Sequence, residues 1–199
     1  MEKKKDLVIP AKGSFLKCNL GTIIGLILLV VIVTINTPKF MTGSNLLNLL
    51  KANSVNAIIC CGMLMAILMG EIDISVGSTV GLTGVIGAYM ITNMEAPVWV
   101  TVICCLAIGA LIGTINGIAI AYLQVPAFVA TLATQCIGRG LTEIISGGVT
   151  IRIRNDAYTA LGNTSFGGVS IIIIYAVIIL IATWILLNKT RFGYYIYAL

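Results

Sequence analysis

Histidine is missing from all 199 residues, and only seven residues are acidic. With no imidazole there is no His-based metal site and no Ser–His or Cys–His triad. Charge of either sign is scarce, at 10% of residues, where a soluble domain carries about 25%. Apolar residues reach 59%, and mean hydropathy is +1.08. A water-soluble fold of this size hides only about 70% of its surface, too little for so much apolar area. Lipid must therefore be the solvent for most of the chain, which excludes a soluble enzyme, a nucleic-acid reader and a disordered tail. No GxxxxGK[ST] phosphate loop occurs, so ATP-driven work would fall to another polypeptide. Cys18, Cys60, Cys61, Cys104, Cys105 and Cys136 lie in or beside apolar runs without CxxC spacing. They read as buried inert thiols rather than disulfides or metal ligands. No catalytic residue, metal or cofactor is expected.

What is present is a series of apolar runs. Residues 1–17 are polar and carry five lysines, which predicts a cytoplasmic basic N-terminus. Cys18–Thr37 is uncharged and long enough to span about 30 Å of hydrocarbon. Residues 41–54 place leucines on one helical face among Asn45, Asn48, Lys51 and Asn53, a pattern for an amphipathic helix at the interface. A short run, 55–70, precedes Glu71-Ile72-Asp73, and a Gly-rich run covers 74–94. No charge falls between Glu95 and Arg139. Gln124-Val125-Pro126 divides that stretch into spans near 97–121 and 127–146, because the residue before proline avoids the helical region. Residues 147–167 read as an extracytoplasmic loop. A last span covers 168–187, and 188–199 return to the cytoplasm. The expectation is an all-α, polytopic transmembrane bundle over 18–187, with six spans. Seven Lys/Arg would lie on the side of the termini against Lys39, Lys51, Arg152 and Arg154 opposite, a modest positive-inside bias.

Four groups of residues stand out. Glu71 and Asp73 are the only acids between Asp6 and Glu95. Carboxylates there could hold a proton, a cation or a sugar hydroxyl; alternatively Asp73 or Ser75 caps the next helix, with Glu71 solvated. Gly77 and Gly81, and Gly109, Gly113 and Gly117, recur every four residues, a spacing for close helix packing or for a conduit-lining face. Arg139 and Glu143 are four apart on one helical face. They read as a mutually neutralising pair, or as part of a path or gate.

Three stretches resemble one family. GEIDISVGSTVGL (70–82) resembles the signature G-x-I-D-[LI]-S-V-G-S of ribose-type ABC sugar permeases. VPAFVATLATQCIGRG (125–140) resembles that family's V-P-x-F-[IV]-x-T-L-x-T…R-G stretch, and TRFGYYIYAL (190–199) its T-x-[FY]-G-x-x-I-Y-A-[IL] stretch. Their order and spacing agree across residues 20–199, and NLLNLLKANS fits the segment before the second span.

The resemblance implies the membrane-spanning subunit of an importer that moves a sugar or similar polar solute by alternating access. Its partners would be a second permease subunit (homo- or heterodimer), cytoplasmic ABC ATPase subunits, an extracytoplasmic solute-binding protein and membrane lipid, with no nucleic acid. Its place would be the inner membrane. Asp73, Ser75 and Gly77 fall on the first motif, and Pro126, Phe128, Thr131 and Arg139 on the second. Arg191, Phe192 and Gly193 lead towards the ATPase contact. Glu71 stands where many relatives have glycine, and Tyr194 where arginine is frequent. Such permeases have roughly ten spans, so a fragment or a truncated product is expected. Two rival functions are a proton-coupled secondary transporter using Glu71 or Asp73, and an inactive membrane fragment.

Overall fold

The computed structural model describes residues 19–198; the basic N-terminus, Cys18 and Leu199 lie outside the described residues. The chain divides into two compact units, residues 1–49 and 50–199. In the first, α1 (Leu20–Asn36) is apolar on every side and buries no residue. Asn36 and Thr34 turn their side chains back onto the carbonyls of Ile32 and Val30, satisfying polar groups within the helix.

Helix α2 (Gly43–Leu68) runs on from there for 26 residues without a break. The amphipathic helix expected at 41–54 and the short span expected at 55–70 are therefore one element. Asn and Lys weaken a helix only slightly, and no proline interrupts the ladder between Gly43 and Leu68. Ser54 folds its hydroxyl back onto the Leu50 carbonyl at 2.7 Å.

The second unit is built around α3 (Val76–Asn93), which packs along α5 (Ala127–Ser146) and α4 (Val98–Ala121). Apart from Leu82 and Ile91 of α3, the buried residues of this trio are small or polar: Ser78, Gly87 and Ala88 from α3, Thr101 and Asn116 from α4, and Ala127, Ala130, Thr131 and Gly138 from α5. Small side chains suit a membrane bundle, where lipid supplies no hydrophobic force between helices and close approach must hold them. A Cβ on Gly138 would lie 3.0 Å from Ser78 Oγ, and one on Gly87 3.2 Å from Cys105 Sγ.

The glycines singled out by their four-residue spacing behave otherwise. A Cβ on Gly77, Gly81, Gly109, Gly113 or Gly117 would meet nothing within 4 Å, so none of the five marks a close approach among the described residues. Spacing alone does not say which helical face meets a neighbour.

The segment 147–167, expected as a loop, contains structure of its own. Asn155 caps α6 (Asp156–Asn163) by accepting from Tyr158 N at 3.1 Å. A small hairpin, β1 (Ser165–Phe166) with β2 (Val169–Ser170), turns through Gly167 and Gly168, both at positive φ. Lys51 Nζ donates to Asn163 Oδ1 at 3.2 Å, tying α2 to α6. Helix α7 (Ile171–Lys189) follows, then α8 (Arg191–Ala198).

The result is a helical membrane bundle. Helices α2, α4 and α7 are long and apolar enough to cross a membrane, and α1 is a shorter apolar helix. Helices α3 and α5, with 18 and 20 residues, trade hydropathy for the polar and small side chains of the interior.

Candidate functional site

Between α2 and α3 the backbone leaves the helical path. Gly70 adopts φ +77°, which only glycine enters at low cost, and residues 71–74 have no regular structure before α3 begins. The last carbonyls of α2 are closed off locally: Ala66 O accepts from Met69 N and Glu71 N. Asp73 then braces the restart, its Oδ1 accepting from Ser75 N at 2.8 Å and from Ser75 Oγ at 2.6 Å. The carboxylate thus holds the beginning of α3, whereas Ser75, at the N-cap, makes no cap bond with its own side chain.

From Asp73 a line of polar groups runs through the interior. Ser75 Oγ accepts from Asn116 Nδ2 at 3.1 Å, and Asn116 Oδ1 accepts from Thr134 Oγ1 at 2.5 Å. Ser75 and Asn116 are 2% and 6% exposed, so these bonds take the place of water. Thr131, equally buried, donates to Ala127 O at 2.8 Å and lies 3.4 Å from the carbonyl oxygen of Ile72. One chain of hydrogen bonds therefore couples the unwound segment to both α4 and α5.

In front of this seam lies a cavity of about 610 Å³, within the range of small-ligand sites. Glu71, Asp73, Asn116 and Thr131 give it a polar wall, while Met69, Ile72, Ile120 and Ala127 give it an apolar one. Gly113 and Gly117 also face it, and their missing side chains leave it room. A rim of carboxylate, amide and hydroxyl beside an apolar wall can hydrogen-bond a small polyhydroxylated solute along its edge and cover its C–H face.

Of the residues singled out from sequence, Glu71, Asp73, Ser75 and Thr131 come together here. Gly77, Pro126 and Phe128 lie nearby in sequence but are exposed. Arg139 and Glu143 are also exposed and form no ion pair with each other among the described residues. Arg191 and Phe192 are exposed on α8, whereas Gly193 is buried against Leu187. The five described cysteines are free, as read, but Cys60 and Cys136 are exposed rather than buried. Two members of the seam, Asn116 and Thr134, escaped notice. A lone asparagine in the charge-free run of 96–138 was the available signal, since an amide at that depth needs a partner.

At the other end of α3, the Tyr158 hydroxyl of α6 approaches Gly87. Burial raises the Tyr158 phenol above its ordinary value, with a smaller contribution from the neighbouring Cys105 thiol.

A family profile described as the branched-chain amino acid transport system permease component matches residues 45–199. The chain belongs to this permease family. Among similar proteins is the ribose import permease protein RbsC of Haemophilus influenzae, 39% identical over 180 residues, covering 88% of this chain and 55% of that protein. The L-arabinose transport system permease protein AraH of Escherichia coli is 37% identical over 173 residues, covering 87% of this chain and 52% of the relative. The galactose/methyl galactoside import permease protein MglC of Salmonella typhimurium is 34% identical over 197 residues, covering 90% and 59%. This permease chain spans about half the length of the curated relatives it matches. No solved structure matches it.

Proposed function

We propose that this chain is the N-terminal part of the membrane-spanning subunit of an ATP-binding-cassette importer for a sugar or a related small polar solute. The observation that carries the reading is the similarity to sugar import permeases along nearly nine-tenths of the chain. The site is consistent with it. Irregular backbone at membrane depth is tolerated where it lines a cavity, and transporters place binding groups at such interruptions. The segment 70–75 has this character, and its carboxylates and hydroxyl suit sugar hydroxyls better than an apolar side chain.

The mechanism is alternating access: ATPase subunits on the cytoplasmic side and a solute-binding protein on the other bias two differently packed states of a permease pair. The N-terminus lies in the cytoplasm of a cell bounded by an inner membrane, which puts the Asp73 site and α8 on the cytoplasmic half and α6 on the opposite half. Arg191 and Phe192 then lie on the side that the ATPase approaches.

The test is uptake of labelled ribose, arabinose and galactose by cells carrying the intact gene in its native context, compared with cells deleted for it. Uptake of one sugar that disappears on deletion, persists when the proton gradient is collapsed and fails when ATP is exhausted supports the importer. Uptake that follows the proton gradient and survives ATP loss would replace this reading with a proton-coupled carrier. An Asp73→Asn variant, which keeps the acceptor oxygen but not the charge, separates bracing from charge: a purely bracing role predicts near-normal uptake.

A further inference from the structure

The line of hydrogen bonds from Asp73 to Thr134 has a direction, and the direction is set at the Asp73 end. Asp73 Oδ1 takes the backbone N–H of Ser75, so that oxygen accepts. The Ser75 hydroxyl, 2.6 Å from the same oxygen, must therefore donate to it. A hydroxyl has one proton, so Ser75 Oγ can only accept from Asn116. The amide thus turns its nitrogen to Ser75 at 3.1 Å and its oxygen to Thr134, which donates at 2.5 Å. Every proton along the line points towards residue 73. An amide fits position 116 because it gives at one end and takes at the other.

The same line is the firm hydrogen-bonded tie between the non-helical segment and the other helices. Glu71 N closes back on Ala66 O, at the end of α2. Thr131 Oγ1 stands 3.4 Å from the Ile72 carbonyl oxygen, and its proton is committed to Ala127 O at 2.8 Å. Ser75 Oγ is left as the point where the turn carrying Asp73 is bonded to α4. Both Ser75 and Asn116 are buried, so no water replaces that bond. These contacts close within the second unit and do not depend on what lies against its outer surface.

We infer that Asn116 is a positioning residue: through Ser75 Oγ it fixes the turn that sets Asp73 at the cavity rim, and its amide is matched in polarity to the acceptor at residue 73. This role deepens the importer reading and rests on it for the effect on transport. The polarity match holds within the fold, whatever the solute.

Two measurements on the full gene product test it. The first is thermal unfolding in mild detergent of Asn116→Asp, Asp73→Asn and the double variant. Asn116→Asp keeps the shape but points two acceptors at one hydroxyl, and should melt well below the parent. Adding Asp73→Asn lets residue 73 donate and Ser75 turn its proton to residue 116, so the double variant should melt above Asn116→Asp. A double variant that melts at or below Asn116→Asp overturns the match. The second is the initial rate of labelled ribose, arabinose and galactose uptake by cells, per permease molecule in the membrane. Ser75→Ala and Asn116→Leu cut the same link, and each should slow uptake by about fivefold, the worth of one ordinary hydrogen bond. Their double variant should be no slower than the slower single one. Slowing by the product of the two single effects overturns the positioning role, as does parent-like uptake in both single variants. A parent without ATP-dependent uptake would sink the importer reading instead, and the melting series would still decide whether residues 73 and 116 are matched.

Discussion

Helices α3 and α7 are nearly equal in length, 18 and 19 residues, and solve opposite problems. Helix α7 is apolar on every side and buries only Ala176 and Leu187. Helix α3 buries Ser78, Leu82, Gly87, Ala88 and Ile91, and spends much of its sequence on glycine, serine and threonine. In water the more hydrophobic helix would be the interior one. Here the order is inverted, because lipid is as apolar as leucine and only close packing and hydrogen bonds distinguish protein from solvent.

The sharpest way to break this contrast is to add bulk where α3 meets α5. Gly138→Leu should force Ser78 and its helix away, at a cost of about 1–3 kcal/mol or more. A lower melting temperature in mild detergent and a smaller folded fraction would record it. If Gly138→Leu melts like the parent, the α3–α5 contact is not what holds the unit together. Asn116→Leu comes next. It removes the amide joining Ser75 to Thr134 and should cost about 0.6–1.7 kcal/mol, the range seen for hydrogen bonds between membrane helices. Thr134→Val should cost less, since Asn116 keeps its bond to Ser75. Reversible unfolding in mixed micelles would rank the two.

The matching change on α7, Ile181→Val, should fall within about 0.5 kcal/mol of the parent, as exposed substitutions do. A large loss there would mean that α7 is covered by protein rather than lipid. The smallest effect concerns Tyr158. Its folded-state phenol titrates above the unfolded one, so the folded state keeps its proton longer as pH rises. Stability should therefore be unaffected below about pH 10 and decline above it. Tyr158→Phe should remove only that alkaline decline, measurable as a difference between two pH–melting curves.

This inversion also explains what was legible in the sequence. Six long helices could be placed from hydropathy and from Pro126, and the unwound segment showed itself through Glu71 and Asp73. Asn45, Asn48 and Lys51 misled, because polar side chains change which face meets lipid without ending a helix. The glycine repeats left two readings open, packing or a conduit-lining face: Gly113 and Gly117 line a cavity, whereas Gly87 and Gly138, outside any four-residue repeat, are where helices touch. Local spacing carries no information about which neighbour arrives. Thr131 was legible through its motif; Asn116 was not picked out, although it is the one asparagine in an uncharged span.

The gap between α2 and α3 has a mechanical consequence. A continuous helix transmits a tilt from end to end like a rod. Here the rod is cut at Gly70 and resumes at Ser75, where Thr79 N again finds a carbonyl four residues back. The two rods are joined only by a short strip of non-helical backbone, tethered sideways by Asp73 and by the Ile72 carbonyl. The two helices are therefore located separately: α2 by its own closing carbonyls and by Lys51, α3 by Asp73 and its packing against α4 and α5.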